Sequence, residues 1–174
     1  RVRDINASGL GIHVFSGLEC DIRRDGTMDL ENDALAELDF VVASVHSHFG
    51  LSEREQTERL IRAVSHPLVD ILGHPTGRLL LDRPAYALNV DAVLACAAET
   101  QTAIEINANP YRLDIDHTHI PYALKKGVMI SINPDAHSVD GINDIRWGVI
   151  SARKGGLTRN MTWNALSRTE VDNW

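Results

Sequence analysis

The sequence predicts an α/β protein, a parallel βα array that right-handed crossovers would curl toward a barrel or an open sheet. Three observations predict it. Short apolar runs of strand length alternate about five times with segments of helical period. The connections between them are short. Polar residues of metal-ligand type gather where several of the apolar runs stop.

Taken in order, residues 1–13 are too mixed to assign. Residues 14–22 read as a strand carrying Glu19 and Asp21 near its end, and the Asp25-Gly26 pair then makes a turn. Residues 31–38 suit a short helix with Ala34, Leu35 and Leu38 on one face. Residues 40–45 form an apolar strand that His46 ends. Ser52 and Glu55 have the spacing of a capping box and open a helix whose inner face is Leu60, Ile61 and Val64; Pro67 stops it. Residues 69–72 are a strand running into Gly73-His74-Pro75-Thr76-Gly77-Arg78. Val90, Val93, Leu94, Ala97 and Ala98 recur at helical spacing, and residues 103–106 are a strand running into Asn107-Ala108-Asn109-Pro110.

A further helix is expected from about Thr118, because Pro121 is tolerated only in a first turn. Lys125-Lys126-Gly127 gives it a basic last turn and a glycine stop. Residues 128–132 are a buried strand, and Asn133-Pro134-Asp135-Ala136-His137-Ser138 follow it. A last strand or turn over residues 147–152 and a short helix near Asn164 complete the expectation.

At 174 residues the chain suits one domain with a sizeable core, and 44% hydrophobic against 24% charged residues is an ordinary globular balance. No apolar run is long enough to span a bilayer. Cys20 and Cys96 lack CxxC spacing and read as reduced core residues of a cytoplasmic protein. A net charge of −7 argues against a nucleic-acid surface, an objection that weakens if carboxylates hold divalent cations.

In a βα barrel the functional residues lie at the C-terminal ends of the strands. Those ends carry Glu19, His46, His74, Asn107 with Asn109, and Asp135 with His137. Three imidazoles and two carboxylates form a mixed N/O donor set that suits Zn²⁺, Mn²⁺ or Fe²⁺ better than Ca²⁺ or Mg²⁺. Each alone is an ordinary packing or ion-pairing residue; their joint occurrence on one rim is the signal. Arg78 either grips a phosphate with its guanidinium fork or pairs with Asp82. Asn107 and Asn109 either donate to substrate oxygens or close turns. Arg112, Arg153 and Lys154 read as solvated charges or phosphate contacts, His48 as a surface residue or a support behind the ligands, and His13, His66, His117 and His119 as capping or surface residues.

The segments Gly17-Leu18-Glu19-Cys20-Asp21-Ile22, Ser44-Val45-His46-Ser47, residues 71–78, residues 104–109 and residues 132–138 together resemble the PHP (polymerase and histidinol phosphatase) superfamily. The PHP domain at the C-terminus of family X DNA polymerases is the nearest in appearance, over roughly residues 18–156. The resemblance implies an incomplete, distorted (β/α)₇ TIM-like barrel over residues 1–174, with up to three divalent cations at the strand ends. It implies Glu19, His46, His74, Asp135 and His137 as metal ligands, with Glu19, Asp135 and His137 also catalytic, and Arg78, Asn107 and Asn109 on the substrate side. The first strands and the H-x-H motif of the family do not precede Glu19, so a truncated domain is expected, its activity weak or absent in isolation.

The implied activity is metal-dependent phosphoester hydrolysis on DNA 3′ ends, as in 3′–5′ exonuclease and end-cleaning work in repair, with polymerase domains in the parent chain and no membrane partner. A small-molecule phosphomonoesterase of the histidinol-phosphatase kind and a non-catalytic PHP interaction module are the alternatives. An amidohydrolase barrel fits less well, because its site ends in a lone Asp and not in Asp-x-His.

Overall fold

A computed structural model describes residues 1–174. Five strands, β1 (Gly17–Asp21), β2 (Phe40–Ser44), β3 (Ile71–Leu72), β4 (Ala103–Asn107) and β5 (Ile130–Asn133), form one sheet in the order β1-β2-β3-β4-β5. Every pairing is parallel. Parallel neighbours need crossovers, and each crossover here contains a helix. In chain order the helices are α1 (Val2–Ala7), α2 (Asn32–Leu35), α3 (Glu53–Val64), α4 (Val90–Thr100), α5 (Ile120–Lys126), α6 (Ile145–Lys154) and α7 (Arg168–Val171). The all-parallel α/β architecture read from the alternation is therefore present.

Alternation along the strands divides the sheet into two unlike faces. Val41, Ala43, Leu72, Ile104, Ile106, Ile130 and Ile132 belong to one apolar core, which also takes Leu60, Ala63 and Val64 from α3 and Val93, Leu94 and Ala97 from α4. The intervening residues Glu19, Val42, Ile71, Glu105, Asn107 and Asn133 line a cavity on the other face. In β4 the division is strict: Ile104 and Ile106 pack in the core while Glu105 and Asn107 face the cavity.

Local sequence explains several boundaries. The Ser52–Glu55 capping box is formed in full, so α3 starts where the spacing places it. Pro121 lies in the first turn of α5, and Gly127 ends that helix with φ of 81°. Strand β3 is shorter than the expected 69–72 run; Asp70, just before it, bonds through its main chain to Val41 and Ala103, and its carboxylate accepts from the Val41 N–H at 2.8 Å. At the β5 edge, the Asn164 side chain mimics a further strand: its Oδ1 accepts from Ile132 N at 2.6 Å and its Nδ2 donates to Ile132 O at 3.0 Å.

One expectation needs correcting. Residues 147–152, expected as a strand or turn, lie inside α6. Gly148, Ser151 and Ala152 recur at three and four residues and turn inward, and this helical spacing overrides the β-branched Val149 and Ile150. A side chain at Gly148 would collide with Ala108 and Ile132, so the helix seats directly on β5 and the loop after β4. The unassigned amino-terminal residues contain the short helix α1, which buries no residue. Cys20 is buried, Cys96 is half-buried, and both are free thiols. No helix is long and apolar enough to cross a membrane.

Candidate metal centre

Three strands deliver one candidate ligand each. Glu19 comes from β1, His46 from just beyond β2, and His74 from just beyond β3. Parallel register places Glu19 beside Val42 and Asp21 beside Ser44, so the ends of the strands share one rim. One donor atom from each of Glu19, His46 and His74 lies within 4.8 Å of the other two. His74 Nε2 is 3.0 Å from Glu19 Oε1, and His46 Nε2 is 3.4 Å from the same oxygen.

The loop that presents His74 is tightly built. A β-carbon at Gly73 would strike the Ser44 hydroxyl and come within 3.0 Å of Val42 Cγ1, so only glycine lets the chain pass that close to β2. His74 itself has φ of 25°, a conformation unusual for a residue with a side chain. Thr76 anchors the next turn on the buried carboxylate of Asp114, donating from its N–H at 3.0 Å and its hydroxyl at 2.8 Å.

Electrostatics follow from these contacts. The imidazoles of His46 and then His74 hold the Glu19 carboxyl well below the usual carboxylate range. Its hydrogen bond to Glu19 pushes His46 up to about 9, against the opposing effect of burial, and Asp21 adds to the rise. The Asp21 carboxylate contacts His46 Nδ1, the ring nitrogen turned away from Glu19. A carboxylate behind an imidazole is the usual way to orient a ligand histidine. Glu105 is the other unusual group: it is 4% exposed, and burial pushes its carboxyl up to about 7.

The donor set fits a divalent cation. With metal–ligand bonds of about 2.1 Å, tetrahedral ligand atoms stand about 3.4 Å apart, close to the two separations to Glu19. Two imidazole nitrogens and one carboxylate oxygen are three protein donors, the number that catalytic zinc sites use, and Glu19 and His74 line a cavity of about 360 Å³.

The other sequence-derived candidates sit differently. Asp135 lines the same cavity but lies outside the three-ligand cluster. Asn107 Nδ2 donates to its Oδ2 at 3.1 Å, and Arg112 Nε lies 3.7 Å from that oxygen. His137 is 85% exposed, with Nδ1 2.8 Å from the Asp135 carbonyl, and it does not meet the other imidazoles. Asn107 is buried and faces the cavity, whereas the Asn109 Oδ1 closes a local turn by accepting from Tyr111 N at 3.0 Å.

Arg78 is not paired with Asp82. Its Nε donates to Arg112 O at 2.9 Å, its Nη1 meets Asp116 Oδ2 at 2.7 Å, and its Nη2 meets Leu113 O. The fork is spent on the loop that follows β4. Asp21, Glu105 and Asn133 were not among the sequence candidates. Period-two alternation with Ile104 and Ile106 is the signal that assigns Glu105 to the cavity face.

No family model matches the chain. The chain is 41% identical over 168 residues to the DNA polymerase/3'-5' exonuclease PolX of Bacillus subtilis, a match covering 97% of this chain and 30% of that protein. It is 33% identical over 171 residues to a probable phosphatase of Syntrophotalea carbinolica, covering 93% of this chain and 69% of that protein. A probable phosphatase of Thermoanaerobacter sp. is 29% identical over 164 residues, with 88% of this chain and 64% of that protein covered. The chain thus spans less than a third of the Bacillus protein and just under two thirds of the Thermoanaerobacter one.

Proposed function

The chain belongs to the PHP superfamily, and on that premise we propose that it is a metal-dependent phosphoester hydrolase whose substrate is a DNA 3′ end, working as the PHP part of a family X polymerase. The observation that carries this reading is the convergence of Glu19, His46 and His74 from three successive strands on one cluster, two of whose members, Glu19 and His74, line a cavity that Asp135 also lines. Similarity to an exonuclease-bearing polymerase over 97% of the chain supports the DNA substrate. Closure of the sheet into the family's seven-fold barrel, a cytoplasmic location and a role in repair belong to the same proposal.

Glu19, His46 and His74 hold the cation in this proposal, and Zn²⁺ or Mn²⁺ suits their mixed donors. A divalent cation held there would supply the Lewis acidity that phosphoester hydrolysis near neutral pH requires. The residues do the rest. Asp21 fixes the ring of His46 with its Nε2 toward Glu19. Asn107 keeps the Asp135 carboxylate facing the cavity. Arg112, beside Asp135, is the guanidinium best placed to receive a phosphate oxygen, since Arg78 is occupied. Asp135 and His137 are assigned to further cations, His137 joining only if its exposed ring turns inward.

Digestion of a 3′-labelled single-stranded oligonucleotide by the full gene product with Mn²⁺ tests the proposal. Stepwise shortening from the 3′ end, abolished in Glu19→Gln, is the expected result. A second reading is favoured by the net charge of −7 and by similarity to probable phosphatases: hydrolysis of a small phosphomonoester. Phosphate release from a sugar or amino-alcohol phosphate, with the oligonucleotide left intact, would select it.

A further inference from the structure

The three-ligand cluster rests on a residue that is not itself a ligand. Glu105 stands on β4 between β3 and β5, and every oxygen of its buried carboxylate is engaged. Oε2 accepts from the main-chain N–H of His74 at 2.6 Å and from Asn107 Nδ2 at 3.4 Å. Oε1 accepts from Asn133 Nδ2 at 2.9 Å. One carboxylate therefore joins the ends of three neighbouring strands.

The two histidines are oriented in different ways. His46 is fixed through its ring, with Asp21 on Nδ1. His74 has no such support: its Nδ1 is buried without a partner. What defines its direction is its main chain, held at a positive φ that a residue with a side chain rarely adopts. The group that receives the N–H of that strained residue is Glu105. The same carboxylate reaches the Asp135 side through Asn107, whose amide also donates to Asp135 Oδ2 at 3.1 Å.

A buried carboxylate is costly to retain, and an uncharged residue of similar size is often neutral or better for stability. Retaining it needs a reason other than packing. We infer that Glu105 is a positioning residue of the metal centre: through the His74 main chain it aims that imidazole at Glu19, and through Asn107 it sets where Asp135 stands relative to the cluster. The inference rests on the reading of Glu19, His46 and His74 as cation ligands.

Co²⁺ titration of the full gene product, followed by its visible absorption and by competition with a chelator, provides a test that needs no turnover. Glu105→Gln keeps the volume but puts a donor where one of two donors must be received. It should weaken Co²⁺ binding roughly 10–100-fold, the range found when partners behind metal ligands are removed, and alter the absorption bands. Glu105→Asp keeps the charge and withdraws it from His74 by one methylene. It should show the same loss, which covers the case in which the amide variant fails to fold. If the unmodified protein binds Co²⁺ and either folded variant matches its affinity and spectrum, the positioning role is overturned while the metal reading stands. No Co²⁺ binding by the unmodified protein would bring down both.

Discussion

Replacing Arg78 with lysine separates a clamp from a phosphate-binding residue. The guanidinium is 19% exposed and engages Arg112 O, Leu113 O and Asp116 Oδ2 at once. Lysine can keep one of these contacts, most naturally the ion pair with Asp116, and must abandon the two carbonyls. Hydrogen bonds to charged groups contribute about 1.5–3 kcal/mol each, but the two lost here are not independent and water can reach the loop in part. A destabilisation of about 2–3 kcal/mol is therefore expected from the loss of charged hydrogen bonds. For a chain of this length each kcal/mol lowers the melting temperature by about 2–4 °C, giving a fall of about 4–12 °C. The segment released carries Arg112 and follows directly on Asn107, so phosphoester turnover should fall through kcat, with KM changed little. Thermal unfolding and steady-state kinetics on the same preparation check both parts. An R78K protein that melts with the wild type but shows a tenfold higher KM would refute the clamp and restore a direct phosphate contact.

Other consequences are simpler to state. Metal affinity should rise as pH increases from 6 to 8, by about tenfold per unit for each proton displaced, because His46 is held protonated up to about 9 and must release its proton to bind; a flat chelator-competition profile would contradict this. The contribution of that protonated pair to metal-free stability has the opposite sign, complete below the ordinary histidine pKa and lost as pH rises through about 9. Gly148→Ala ordinarily favours a helix by about 1 kcal/mol. Here the new methyl would lie 2.6 Å from both Ala108 Cβ and Ile132 Cγ2, and overpacking of about 1–3 kcal/mol should win, so chemical denaturation should find the variant less stable. His137→Ala removes an 85% exposed ring and should change stability by less than about 0.5 kcal/mol, leaving cation binding at Glu19, His46 and His74 unaltered by calorimetry.

How legible each feature was in the sequence depends on how local its cause is. The α3 start could be read because a capping box lies within four residues, and the α5 boundaries because proline and glycine act on their own backbone. Strand ends could be read from where apolar runs stopped, which placed Glu19, His46 and His74 on one rim without a structure. Arg78 could not, since its partners lie more than thirty residues away on a loop whose path only the fold defines. Helix α6 was hidden by its β-branched exposed residues; the spacing of Gly148, Ser151 and Ala152 was the better guide. Glu105 was hidden by its neighbours, because a carboxylate between two isoleucines looks like an interruption of a buried strand. It is instead the residue that distinguishes the two faces of β4.

The electrostatics of the cavity impose an order on binding. Glu19, Glu105 and Asp135 all line it, in a chain whose net charge is −7, so a phosphoester approaching the metal-free protein meets its own sign of charge. The compensating cations are already engaged: protonated His46 lies 3.4 Å from Glu19, and Arg112 is drawn toward Asp135 at 3.7 Å. A divalent ion at Glu19, His46 and His74 reverses the local field, and any further cation taken by Asp135 would free the guanidinium for the ester. Metal and substrate should therefore bind cooperatively, each raising the affinity of the other by the same factor. An uncharged analogue that fits the cavity lacks that coupling. Equal affinity of a phosphate ester for the metal-free and metal-loaded protein would separate the cavity from the metal centre, and with it the hydrolytic reading.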